Sequence, residues 1–288
     1  MKIAYIILAH KYPEQLIRLI HRLNTEKASF FVHVDKKTDK IIYNQIVENL
    51  NGLSNVYFLN RNKAYWAFFS SMLNPTVRGI DEMFKRNVPF DYVILLTGQD
   101  YPLKSNKQIE KVLQENKGKV FMRYHSIPSD CWINEKGGLD RIEYRHFYFF
   151  DRHFIFPIKR KFPKVFKPYG GNAYWCLPKE CAEYVRNLIK QNPSFFNFFK
   201  HVFAPEEIFF QTVILNSPFK DSVINNDLRY IDWPDKNPSH PKILCKEDFE
   251  KLLRSSSLFA RKFDITVDAD ILDMIDKRIC ESDISNQS

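Results

Sequence analysis

The run Tyr92-Val93-Ile94-Leu95-Leu96 is apolar at every position, and it constrains the fold of this chain more than any other stretch. A strand with one wet face alternates apolar and polar residues. A run without a polar position has both faces covered and belongs in the middle of a sheet packed between helices. The same character recurs at 3–9 and at 29–34, which ends in Asp35. Between these two runs Leu16, Ile17, Leu19, Ile20 and Leu23 recur on one side of a helix. A second helix is expected over 40–50 and a third strand over 56–59. Strand, helix, strand, helix, strand is the opening of a parallel sheet with crossover helices. The expected class is therefore α/β, with a central, mostly parallel sheet and helices on both faces.

Further along, 66–84 has apolar positions at helical spacing, interrupted by Pro75, and Ser105 or Asn106 caps a helix running to Glu115. Residues 121–170 lose helical periodicity and become rich in aromatic, basic and proline residues, which reads as strands and loops of a lobe or lid. Gly170-Gly171 turns into a strand reaching Leu177. A helix follows over 180–191, another over 204–215, and a late strand over 229–233. The stretch 249–263 reads as largely helical and basic. No repeat or low-complexity tract divides the 288 residues, so 1–288 is expected to be one domain with halves meeting near 120.

With 26 Phe and 14 Tyr against 8 Gly, the core should be thick with rings, and a ring-lined groove is allowed. No run approaches a transmembrane length. The opening Met1 to Ala9 is too short for a secretory leader and meets His10-Lys11 without a cleavage-like segment, so a first strand and a cytoplasmic site of action are expected. Five cysteines, an odd number without metal-ligand spacing, fit reduced thiols. The net charge of +9 suits an anionic partner: a nucleotide diphosphate, a nucleic acid or the face of an acidic membrane. The densest basic cluster, Lys159-Arg160-Lys161 with Lys164 and Lys167, reads as an exposed solubilising loop, with phosphate contact as the other reading.

Chemistry concentrates in a few places. Pro205-Glu206-Glu207 reads as the opening turn of an apolar helix, where proline and acids favour a start. A carboxylate there that faces a cleft, partly shielded by the rings that follow, is the best general-base candidate; the alternative is an ordinary charged first turn. His10, Asp35 and Asp100, the last preceded by Gln99, stand at the ends of expected strands, where open α/β sheets bind ligands. There is no glycine-rich phosphate loop, so cations would have to hold a phosphate: Arg261-Lys262, set between Phe259 and Phe263, and His240 with Lys242. A surface role is the alternative for each. Asp268-Ala269-Asp270 has two-carboxylate spacing but lies near the C-terminus, and no metal site is expected.

Six stretches in order along the chain carry a resemblance: Tyr5 to His10, Val32 to Lys37, Leu95 to Lys104, Gly171 to Trp175, Pro205 to Thr212 and Leu258 to Asp264. Together they resemble the core-2/I-branching β-1,6-N-acetylglucosaminyltransferase family, which includes peptide O-xylosyltransferases. The resemblance implies a modified GT-A fold and an inverting, metal-independent transfer from a UDP-sugar, GlcNAc favoured. The nucleotide would lie in the 1–120 half and the acceptor and catalysis in 121–288. By the same resemblance Glu207 matches the base, Lys262 the leaving-group lysine and Asp35 the uridine-side aspartate, with His10 beside the nucleotide. The partner arginine of the mammalian enzymes falls near Ser239, leaving His240 or Lys242 to stand in for it. The cysteine pairs of the animal members are not reproduced.

The expected partners are thus a nucleotide-sugar donor and a glycan or lipid-linked oligosaccharide acceptor in cell-surface polysaccharide synthesis, with peripheral contact at the inner face of an anionic membrane allowed. Two other classes remain open. One is a basic nucleic-acid-binding protein, against which the basic residues are dispersed and form no known module. The other is a non-catalytic sugar-binding relative, against which Glu207 and Lys262 are intact.

Overall fold

The computed structural model describes residues 1–234 and 240–285, with side chains through 281. The strands are β1 Ile3–Ala9, β2 Ala28–Val34, β3 Val56–Phe58, β4 Tyr92–Thr97, β5 Asp100–Pro102, β6 Val120–Met122, β7 His125–Ser126, β8 Arg145–Phe149, β9 Arg152–Phe156, β10 Tyr169–Gly170, β11 Trp175–Pro178, β12 Val223–Ile224, β13 Arg229–Ile231 and β14 Phe259–Arg261. The central sheet runs β12-β6-β11-β4-β1-β2-β3. Its strands are parallel except β11, which is antiparallel to both neighbours. The fold is α/β with a mixed sheet. The sheet draws strands from both sides of residue 120, so the two expected halves share it.

The alternation of a strand sorts β1 between two cores. Ile3, Tyr5, Ile7 and Ala9 pack on one face with α1 (Pro13–Leu23), α2 (Lys40–Leu50) and α4 (Asn106–Glu115). Ala4, Ile6 and Leu8 pack on the other with α3 (Leu73–Lys85), α6 (Lys179–Gln191) and α8 (Phe209–Leu215). Every residue of β1 is buried, as its continuous apolar run requires. Ser105 caps α4 in a reciprocal box with Gln108, a feature typically worth about 1 kcal/mol. The rings concentrate on the second face, where Trp175 lies against Phe210, and Phe209 touches Phe195, Phe196 and Phe199.

Four expectations are corrected. The 66–84 helix starts only at Leu73, and Pro75 sits in its first turn, where a missing N–H costs nothing, rather than interrupting it. The 204–215 helix is two pieces, a 3-10 turn at Pro205–Glu207 and α8, separated at Ile208 (φ −127°). The 249–263 stretch is helical only at α9 (Phe249–Arg254); β14 then pairs with β5 and β13 in a three-stranded sheet. Arg261 thereby lies opposite Asp100, beside the end of β4. The remaining helices are α5 (Leu139–Glu143), α7 (Pro193–Phe198) and α10 (Asp270–Ser285). The 121–170 segment holds strands and loops, including the two-stranded β8–β9 hairpin, but also a 3-10 helix at Asp130–Gly138 and α5, which its aperiodic sequence did not lead one to expect.

Candidate active site

Parallel strands that start in register also finish together. Ala9 is paired with Val34, and Leu8 with Thr97, so His10, Asp35 and Gln99 emerge at one sheet edge. A cleft of about 510 Å³ opens there. His10, Asp35, Gln99, Glu206, Glu207, His240, Arg261 and Lys262 all line it. Two of the expected site residues do not. Asp100 is fully buried, accepts a hydrogen bond from the Thr97 N–H, and lies 3.8 Å from Arg261 Nε; it supports Arg261 from below. Lys242 bonds Asp248 Oδ1 at 2.6 Å and is committed there. Ser239 lies outside the described residues.

The carboxylate wall is built by backbone from two directions. Ala204 takes a left-handed conformation (φ 46°), and its N–H donates to the Ala67 carbonyl at 2.7 Å. Pro205 then starts the 3-10 turn, and the Gly171 N–H donates to the Glu207 carbonyl at 2.9 Å. Gly171 has to be glycine: a Cβ there would stand 1.9 Å from the Arg123 carbonyl oxygen. Glu207 Oε2 accepts from Arg141 Nη1 at 2.6 Å, and the other side of the same guanidinium donates to Glu135. Trp132 covers the Arg141 plane at 3.9 Å.

The two neighbouring acids differ sharply. Burial pushes the Glu206 carboxyl up to about 8, the Glu207 charge adds to this, and its Oε2 has no hydrogen-bond partner among the described residues. Burial also raises Glu207, but the charge and hydrogen bond of Arg141 oppose it, and a third of the side chain (34%) remains open. Glu206 therefore keeps its proton near neutral pH, while the 2.6 Å pairing with Arg141 favours the charged form of Glu207. Of the two, only Glu207 is both paired with a cation and open to the cleft. On Arg141 burial works against the charged form, but Glu207 and Glu135 outweigh it and hold the guanidinium protonated.

The opposite wall is cationic. Arg261 is mostly buried over the Tyr174 ring at 4.6 Å, and its Nε and Nη1 have no hydrogen-bond partner among the described residues. Orphaned buried donors cost about 1–3 kcal/mol each, so this guanidinium is left in want of an acceptor. Burial, Lys11 and Arg261 all push the Lys262 ammonium below its usual range, which an anion arriving in the cleft would reverse. The 262–263 backbone is clamped to the end of β4: Phe263 N–H donates to the Gln99 carbonyl, and the Gln99 and Gln15 amides both donate to the Phe263 carbonyl. Gln99 thus positions the cations as well as facing the cleft.

At the sheet edge Asp35 Oδ1 accepts from the Lys37 and Ala64 N–H groups, leaving Oδ2 with only Lys37 Nζ at 3.9 Å. His10 is exposed, and its imidazole is held below the usual range by partial burial and by Lys11. His240 meets the edge of Trp66, itself a cleft residue. Sequence reasoning missed Arg141, Gln15 and Trp66. Only the Trp66 position beside an aromatic cluster gave any signal. Cys245, Glu247 and Asp268 bring ligand atoms within 4.8 Å of one another, but none lines the cleft, and Asp268 already accepts from the Lys246 and Ile271 N–H groups. A larger cavity, about 820 Å³, between 163–166 and the α6–α7 helices has no carboxylate or cation in its lining.

The family description of the Core-2/I-branching enzymes matches residues 3–253. Xylosyltransferase 2 of Rattus norvegicus is 29% identical over 96% of this chain and 33% of its own length. Xylosyltransferase 1 of Homo sapiens is 25% identical over 96% of this chain and 30% of its own. The chain thus spans about a third of the length of the curated relatives it matches. A solved 4-diphosphocytidyl-2C-methyl-D-erythritol synthase of Anaerococcus prevotii aligns with a TM-score of 0.35 and 12% identity, covering 67% of this chain and 75% of that one; so low a score carries no argument. The match across most of the chain settles the family: the protein belongs to the Core-2/I-branching enzymes, a family of glycosyltransferases.

Proposed function

We propose that this protein is an inverting glycosyltransferase of modified GT-A type. It would move a sugar, GlcNAc by first preference, from a UDP-sugar to a hydroxyl of a glycan or lipid-linked oligosaccharide in cell-surface polysaccharide synthesis. One observation carries the reading: a reachable carboxylate held by Arg141, the Lys262 ammonium and an Arg261 with unbonded donors line the same cleft. Glu207 takes the proton of the acceptor hydroxyl as that oxygen bonds to the anomeric carbon. The bond from that carbon to the UDP oxygen breaks, and its electron pair leaves with the diphosphate. Lys262 and Arg261 neutralise the charge that grows there, the term usually largest in such reactions. Asp35 Oδ2 and His10, at the sheet edge, would meet the uridine.

These fixed cations can supply the charge that a divalent ion supplies in other nucleotide-sugar enzymes, so we propose a metal-independent reaction. Xylose is the second donor reading, favoured by the names of the relatives above. Release of UDP from UDP-GlcNAc, UDP-xylose and UDP-glucose, with and without EDTA, separates these readings. Turnover is expected to survive EDTA with one donor preferred. Loss of turnover in EDTA restored by Mn²⁺ would refute the metal-independent reaction, and absence of turnover with all donors would favour a sugar-binding protein.

A further inference from the structure

The β8–β9 hairpin is built against the ordinary rules for a water-facing surface. Its strands pair only with each other, over five rungs from Arg145↔Phe156 to Phe149↔Arg152. One face packs on the protein: Tyr148 lies on Tyr65 and Phe68, and His153 stacks on Phe203 at 4.9 Å. The other face turns outward. Phe149, Phe154 and Phe156 there are 58%, 47% and 44% exposed, with Arg145 and Arg152 among them.

The turn is more telling still. Phe150 and Asp151 both have positive φ (48° and 54°), the arrangement that Asn-Gly ordinarily fills in a two-residue hairpin. A phenylalanine there costs about 1–2 kcal/mol in backbone energy, and its ring is 95% exposed. Neither stability nor solubility accounts for it. The chain that follows continues the pattern, with Ile158 and Val165 exposed among Lys159, Lys161, Lys164 and Lys167. From 145 to 167 there are seven Lys or Arg and one acid, Asp151. Of these cations only Lys159 has an ion-pair partner, Glu143, among the described residues.

We propose that this hairpin and the 157–167 loop are an interfacial anchor for an anionic lipid bilayer. The phenylalanines at the apex and outer face enter the headgroup–acyl boundary, and the surrounding cations meet the anionic headgroups. A second copy of the chain fits poorly, because two such strongly positive rims would face each other. A single-stranded nucleic acid stacks in a cationic groove, whereas the cavity beside residues 163–166 has no cation in its lining. No helix among the described residues is long and apolar enough to cross a membrane, so contact through this element would be peripheral. The packed face leads through Tyr65 to Trp66 at the cleft, so docking sets the cleft mouth beside the headgroups. On the proposed transfer reading, that is where a lipid-linked acceptor presents its sugar.

The test is flotation of the whole chain with phosphatidylcholine vesicles, with or without about one-third phosphatidylglycerol, scored apart from transfer activity. Binding is expected only with the anionic lipid and is expected to fall with salt. Phe150→Asp, at a side chain that touches no core, is expected to weaken it at least about tenfold, as two to three lost methylene equivalents would. Lys161→Gln/Lys164→Gln/Lys167→Gln together are expected to weaken it on the order of 100-fold, at about 1 kcal/mol per cation. Solution UDP release and the thermal melt should not change in either variant. Absence of wild-type flotation, or equal flotation by both variants, would overturn the proposal. So would a dimer abolished by Phe150→Asp, or oligonucleotide binding without vesicle binding.

Discussion

The two walls of the cleft are finished to different degrees. On the carboxylate side every charge is answered: Glu207 by Arg141, Arg141 by Glu135, and the guanidinium plane by Trp132. On the cationic side Lys262 has no acid in contact among the described residues, and Arg261 keeps two donors unbonded with Asp100 no closer than 3.8 Å. A wall complete without ligand is preorganised to act on a group brought to it. A wall left short of negative charge is preorganised to receive it, and a diphosphate brings more negative charge than any side chain. On the proposed transfer reading, the difference gives proton transfer to one wall and binding to the other.

The sharpest way to break this division is Glu207→Gln, which keeps the shape and removes the base. Transfer is expected to fall by about 10²–10⁴-fold in a UDP-release assay with acceptor; unchanged turnover would remove Glu207 from the mechanism. Arg141→Gln comes next, with turnover down roughly tenfold to a hundredfold through a misplaced Glu207. Without the guanidinium the Glu207 carboxyl rises further, so the acid limb of the rate profile should move to higher pH. A profile that keeps its acid limb would reduce Arg141 to a structural residue.

Glu206 gives a smaller effect, on stability rather than rate. Its folded value, about 8, exceeds that of an unfolded glutamate. The folded state then binds more protons, so stability is fully present at low pH and declines as pH rises from the unfolded value through about 8. Glu206→Gln is neutral at every pH. Its melting temperature should lie closest to the parent's at about pH 4, below the unfolded value, and exceed it by a growing margin up to pH 8, and parallel curves would refute the buried proton. The smallest effect is expected for Lys242→Ala, no resolvable change in UDP affinity, because the buried Asp248 already holds that ammonium. A tenfold loss by calorimetry would return Lys242 to the phosphate site.

The cleft edge was legible in the sequence, because continuous apolar runs such as Tyr92 to Leu96 have one stable placement and polar residues after them must emerge together. The Glu206-Glu207 and Arg261-Lys262 pairs were marked by the sequence itself, and the resemblance singled out Glu207 and Lys262. What holds them was not legible. Arg141 lies in the aperiodic 121–170 segment, and nothing local marks it as the partner of an acid so distant in sequence. β14 spans three residues that hydrophobic spacing reads as helix, yet its pairing with β5 carries Arg261 to the cleft. The turn at Pro205–Glu207 is fixed from Ala67 and Gly171, contacts that no local pattern encodes. Lys242 shows the converse: a cation well placed in sequence is taken by Asp248, an acid six residues on.

The division between the walls is tested most directly by UDP titration calorimetry on two variants side by side, Glu207→Gln and Lys262→Ala. The account predicts that Glu207→Gln binds UDP as the parent does, while Lys262→Ala loses about tenfold or more in affinity, the loss of a charge-assisted contact. Equal losses in both variants, or loss only in Glu207→Gln, would contradict it.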